Sequence, residues 1–256
     1  MIGRVAQRLL ESVSWGLKGR LYLGAGMSVL DLASDVNMIR LYLMSAKQAK
    51  FGYALLAMVA TNIGLQLLIT FLQNRKFPLV HQLRNLAYVL VGVKPVVDAA
   101  RVTRGDTEDA RALLAPDVEL AVVKMMELFA EAIPGCVLQV LGYMTLTSQA
   151  SRVKYSALAS IAISAGTTGF ISATISYDYD VNPAKRKLTP SFYGYIRDRS
   201  KYRALTFLTL SLNASLLLLI RSFSAALLIQ VDSTAFIWCV RLASGVVFIC
   251  FLTRVL

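Results

Sequence analysis

Charge is scarce in this sequence. Asp, Glu, Lys and Arg make up 16% of its 256 residues, against about 25% in an ordinary soluble domain. With 56% hydrophobic residues beside it, that scarcity excludes a disordered or fibrous chain and argues against a soluble enzyme. Acid is scarcer than base: 15 Asp and Glu stand against 27 Lys and Arg, a formal charge of +12. Cysteine is nearly absent. Cys136, Cys239 and Cys250 all fall inside apolar runs, are odd in number and have no metal-ligand spacing, so they read as small buried hydrophobes and imply no disulfide framework. The only histidine, His81, has no ligand-spaced partner. No P-loop, HExxH, Gly-x-Ser-x-Gly or Cys-x-x-Cys occurs, which leaves an enzyme reading, a metal centre or a bound cofactor little to stand on. Nor does the start read as a cleavable signal, because Arg4, Arg8, Glu11, Lys18 and Arg20 interrupt it before an apolar core begins.

Long apolar runs are what the sequence does have, and its mean hydropathy is +0.58. A bilayer core about 30 Å thick needs about 20 apolar residues of helix. Residues 51–72 and 155–176 meet that without a charge, and 204–228 and 234–253 with one arginine each, Arg221 and Arg241. Residues 21–44 qualify but contain Asp31, Asp35 and Arg40, and residues 124–147 qualify but begin with Lys124, Glu127 and Glu131 and carry Pro134. Residues 77–103 hold only a short apolar stretch, crowded by His81, Arg84, Lys94, Pro95, Asp98 and Arg101. They are too short to cross and predict a re-entrant or interfacial helix packed on protein. The expected fold is therefore all-α: a polytopic transmembrane helix bundle forming a single domain over 1–256, with about six spans plus that one segment.

Topology follows from where the cations lie. If 77–103 does not cross, the N-terminus, residues 74–116, residues 177–203 and the C-terminus share one side and hold 19 of the 27 Lys and Arg. The other side holds Lys47, Lys50, Arg152 and Lys154, and the rest are intramembrane. That asymmetry predicts a multi-pass integral membrane protein with both termini cytosolic. The loop 177–203 mixes its cations with Tyr177, Tyr179, Phe192, Tyr193, Tyr195 and Tyr202. It suits either the headgroup layer of an anionic leaflet or plain solvent; a nucleic-acid partner does not fit this context.

Ionisable groups at membrane depth cost about 2.5–3.5 kcal/mol each even on the lenient insertion scale, so they persist where they pair or face water. Asp31 and Asp35 are four apart and share a helix face, as do Asn62 and Gln66 on the next span, with Gln73 near its end. Lys124, Glu127, Glu131 and Gln139 form a stripe on the third span; Asn213 and Arg221 lie eight apart on the fifth, and Arg241 sits in the sixth. Two readings compete. In one, the acids of the first span neutralise Arg221 and Arg241, Lys124 neutralises Glu127 or Glu131 locally, and these pairs merely glue the bundle. In the other, the charges step through the bilayer as a hydrophilic track. Pro134 and Gly135, one turn after Glu131, free the Ala130 carbonyl and predict a static kink or a hinge. The small residues Ser160, Ser164, Ala165, Gly166, Gly169 and Ala173 predict close helix packing.

These residues resemble a known family. Asp31-Leu32-Ala33-Ser34-Asp35 resembles the Asp-x-x-Ser/Thr-Asp element in an early helix of the XK-related membrane proteins, followed there as here by an apolar span ending in glutamines and a basic step, Gln66, Gln73, Arg75 and Lys76. Residues 131–139 resemble that family's Glu-Ser-x-Pro-Gln-x-x-Leu-Gln signature: Glu131, Pro134, Leu138 and Gln139 fit, and Gly135 departs. A serine-rich helix ending near Tyr177, a basic loop, and a helix with Leu219, Ile220 and Arg221 keep the family's order. Family members usually carry more helices, half-helices included, so this sequence is similar to a divergent short member or a piece of a longer protein.

The resemblance implies energy-independent phospholipid scrambling, with membrane phospholipids as partners. The lining residues would be Asp31, Asp35, Glu131 and Arg221, shaped by Pro134, with Asn62, Gln66, Lys124, Glu127, Gln139 and Arg241 on the same track. Some members of the family act only after proteolysis, and others partner with bridge-like lipid-transfer proteins. Two alternatives stay open on the residues: an ion-coupled transporter or channel, and a non-transporting partner of a lipid-transfer protein or subunit of a larger complex, for which a protein partner or homo-oligomer is expected.

Overall fold

The computed structural model describes residues 2–104, 113–114, 116–146, 151–181 and 200–234, with 237 and 240. The described residues form helices and short connections and contain no strand. The span expected at 234–253, with Arg241, lies outside them apart from isolated positions. Among the described residues three helices are long and apolar enough to cross a membrane: α2 (Ala49–Asn74), and the stretches Val153–Tyr177 of α7 (Ser151–Val181) and Tyr202–Val231 of α8 (Ser200–Val231). The first helix, α1 (Ile2–Leu43), covers the run expected at 21–44 and carries its three charges.

The run expected at 124–147 belongs to a longer rod. Helix α5 (Pro116–Glu127) passes through a π-helical turn, Leu128–Ala132, into α6 (Ile133–Met144). Proline explains the interruption. Pro134 has no N–H to give, and its ring crowds the carbonyl four residues back. A wider turn stands directly ahead of it, in which the Ile133 N–H bonds Leu128 O, five residues back. The kink expected at Ala130 takes the form of a π turn, and Glu131 sits within it.

Residues 77–103 fold as a helical hairpin, α3 (Leu79–Leu90) and α4 (Lys94–Arg104). At 1.5 Å per residue each arm is about 17 Å long, too short for a 30 Å hydrocarbon layer. Gly92 turns the corner at φ +77°, in the left-handed region that favours glycine.

Polarity runs inside out. Asp31, Asp35, Glu131 and Gln139 are at most 3% exposed, whereas Phe129 is 73% and Tyr155 74% exposed. Helix α2 shows it along one element: Asn62, Gln66, Thr70, Gln73 and Asn74 face inward, while Tyr53, Leu56, Leu68, Phe71 and Leu72 face outward. Water would reverse this choice. An apolar solvent dictates it, since polar groups then find partners only within the bundle.

Apolar packing fills the space between the polar groups. Met38, Tyr42, Leu55 and Ala157 join α1, α2 and α7, and Cys136, Val140, Ile161, Leu218 and Ala226 join α6, α7 and α8. Helices α7 and α8 meet at Gly169, where an added Cβ would lie 2.5 Å from Ser211 O and 2.9 Å from Ser215 N, and would strike Ser215 Oγ. Gly169→Ala should therefore cost roughly 2 kcal/mol or more, because backbone cannot yield as a flexible side chain can. Gly64→Ala, with nothing within 4 Å of the new methyl, should be neutral. Thermal unfolding of the two purified variants checks the contrast, and equal midpoints would show that α7 and α8 do not pack at this glycine.

Candidate functional site: a buried polar seam

The seam starts from helical spacing. Ser28, Asp31 and Asp35 occupy successive turns of one face of α1 and all point inward. Each finds a partner from another helix. Ser164 Oγ of α7 donates to Asp31 Oδ1 at 2.6 Å. Gln139 Nε2 of α6 donates to Asp35 Oδ1 at 2.7 Å, and Ser160 Oγ donates to the same oxygen at 3.4 Å. Asn62 Nδ2 of α2 donates to Glu131 Oε2, and Gln66 Nε2 donates to Asn62 Oδ1 at 3.1 Å. Lys124 donates to Ser28 Oγ and pairs with Glu127 at 2.9 Å.

The polar stripe continues along α2. Asn74 Nδ2 donates to Thr70 O at 2.7 Å, and Asn74 Oδ1 accepts from Asn85 Nδ2 of α3 at 2.9 Å. Gln73 exchanges two hydrogen bonds with the Leu114 backbone, at 2.7 and 2.9 Å. From Asn62 to Asn74 the stripe climbs about 18 Å, so the polar groups extend over much of the bundle's height rather than forming a ring at one level.

Eight of the residues singled out from the sequence thus meet: Asp31, Asp35, Asn62, Gln66, Lys124, Glu127, Glu131 and Gln139. Arg221 does not join them. It is exposed on α8, whose inward face is Leu218, Ser222 and Ala226. That register, four residues per step, turns Arg221 away. Among the described residues no Lys or Arg forms an ion pair with Asp31, Asp35 or Glu131, so the expected neutralisation of the first span by Arg221 is not the arrangement found. Neutral donors hold these acids instead. Asn213 is exposed as well, and Arg241 lies outside the described residues.

Pro134 is half-buried and sets the π turn described above. Gly135 is buried, yet a Cβ there would sit 3.5 Å from Leu55 Cδ1, an ordinary contact, so packing does not require glycine at that position.

A cavity of about 30 Å³ lies against the seam, with Ser28, Asp31, Asn62, Gln66, Glu127 and Glu131 among its walls. One water needs about 10–15 Å³; the space admits water and no lipid headgroup. No group of three or more His, Cys, Asp or Glu side chains is placed to hold a metal ion among the described residues.

A second polar cluster stands beside it. Lys94 Nζ, on a residue 1% exposed, lies 2.5 Å from Asp98 Oδ2 and 2.7 Å from Glu119 Oε1. The half-buried Arg101 reaches Glu119 at 3.3 Å and Asp98 at 3.7 Å. The sequence alone does not single out Ser28 or Glu119, and it marks Ser160 and Ser164 for helix packing only. Glu119 lay ahead of the expected span; the signal pointing to it was an apolar segment with Lys94, Asp98 and Arg101 at helical spacing.

No family model matches the chain, and no curated protein and no solved structure does either.

Proposed function

We propose that this chain is a multi-pass membrane protein that moves phospholipids between leaflets without energy input, as its resemblance to the XK-related proteins implies. In this reading α1, α2, the α5–α6 rod, α7, α8 and a helix at 234–253 are the six spans. The α3–α4 hairpin enters from the cytosolic side without crossing, and both termini are cytosolic.

The observation that carries the reading is the seam itself. Asp31, Asp35 and Glu131 are nearly fully buried and come from two different helices; Asp31 and Glu131 lie beside a cavity, and among the described residues no Lys or Arg forms an ion pair with any of the three. Carrying a polar headgroup through hydrocarbon costs several kcal/mol for every unpartnered polar group. A row of fixed acceptors and amide donors lowers that cost while the acyl chains stay in lipid. The small cavity corresponds to a resting form, and passage requires the seam to widen.

The test is reconstitution of the full chain in liposomes carrying a trace of fluorescent phospholipid, with a membrane-impermeant quencher added outside. Proteoliposomes should lose inner-leaflet fluorescence that empty vesicles retain. If they match empty vesicles in both neutral and anionic lipid, scrambling is refuted. Ion flux measured in the same vesicles tests the channel alternative.

A further inference from the structure

The cavity has two unlike walls. Its polar wall is the seam. On the hairpin side it is lined by Val89, Gly92 and Pro95, whose side chains can offer the acids no hydrogen bond. The tip is tightly made, with Gly92 N–H bonded to Val89 O at 2.9 Å and Val93 N–H to Tyr88 O at 3.0 Å. It rests on α1 one residue from Asp31: a Cβ on Gly92 would lie 2.6 Å from Leu32 Cδ2. The other side of the hairpin is an apolar surface, with Leu79, Val80, Leu83, Leu90 and Val91 all exposed. One thin, non-crossing element therefore stands between buried carboxylates and the surroundings of the bundle. Two residues past the tip, Lys94 ties it to Glu119 of α5.

We propose that the α3–α4 hairpin is a gate over the seam. Its tip swings off Leu32 to open the polar wall sideways, and the Lys94–Glu119 ion pair is its latch. Swinging out breaks apolar contacts, that latch and the longer Arg101–Glu119 ion pair beside it, and none of the hydrogen bonds that Asp31, Asp35 and Glu131 accept. The hairpin's first arm keeps an attachment from Asn85, at the middle of α3, to Asn74. The proposal concerns access to the seam and does not depend on what passes along it.

The experiment uses the full chain in nanodiscs with Cys136, Cys239 and Cys250 replaced, and follows N-ethylmaleimide labelling of two single substitutions. Gln66→Cys lies on the cavity wall, and Ser164→Cys lies behind Asp31 on α7. Glu119→Gln weakens the latch while leaving Lys94 its Asp98 partner. Gly92→Ala pushes the tip from Leu32 by a separate route. Each should make Gln66→Cys label about tenfold faster, as a minor open state gains population, and leave Ser164→Cys unchanged. Adding Leu32→Ala to Gly92→Ala should slow labelling again by making room for the methyl group. Unchanged labelling of Gln66→Cys in both variants, or equal acceleration of both reporter sites, overturns the gate.

Discussion

Asp31→Asn, Asp35→Asn and Glu131→Gln combined should lower lipid exchange at least about tenfold in proteoliposomes while the bundle stays folded. Hydrogen bonds to charged groups contribute about 1.5–3 kcal/mol, and each 1.4 kcal/mol on a barrier is tenfold in rate. Losing even one charged contact to a passing headgroup therefore reaches that size. Stability should move the other way or not at all. Each amide keeps an oxygen able to accept from Ser164, Gln139 or Asn62, the donors these acids use. It also removes an acid with which no Lys or Arg forms an ion pair among the described residues. Slower exchange with an equal or higher unfolding midpoint separates a transport role from bundle glue; an unchanged exchange rate in a folded triple variant would leave the seam as packing alone.

The part of the seam that the sequence reveals is the part governed by helical period. Asp31 with Asp35 and Asn62 with Gln66 are spaced to share a face, and an apolar solvent leaves polar faces nowhere to turn but inward. Arg221 shows where that logic stops. Membership of an apolar run says that a residue is at membrane depth, but not how its helix is rotated. Rotation of α8 is set by the small and apolar residues Leu218, Ser222 and Ala226 packing inward, and an arginine one position away goes outward with its helix.

Ser160 and Ser164 are the converse case. They sit in a small-residue stripe that serves two purposes: Gly169 admits α8 closely, while the serines on a neighbouring face supply hydroxyls to the acids of α1. Composition cannot separate those roles, because both need a small side chain. Pro134 announces a break in the rod, but the π turn that answers it lies upstream and reflects hydrogen-bond geometry instead of residue type. The hairpin follows the same division. The shortness of its arms against a bilayer core is legible from length and charge, whereas the partner of Lys94 is a glutamate 25 residues further on, and only tertiary structure joins them.

Lys94→Met should be among the most damaging single changes in the protein. The ammonium is held between Asp98 at 2.5 Å and Glu119 at 2.7 Å, with all three side chains almost wholly removed from solvent. Methionine preserves most of the stem's packing and deletes the charge. Two buried carboxylates then face each other with only Arg101, about a third exposed and 3.3–3.7 Å away, to compensate. Removing one partner of a buried ion pair costs about 3–5 kcal/mol, whereas replacing the whole set by neutral groups is often nearly free. The triple variant Lys94→Met, Asp98→Asn, Glu119→Gln should accordingly recover most of the stability that the single variant loses. Glu119→Gln alone should be mild, since Asp98 and Lys94 still balance. Thermal unfolding of the three variants in one detergent decides the matter. A triple variant no more stable than Lys94→Met would mean that the lysine acts here through its shape, and that its charge does not hold the hairpin to α5.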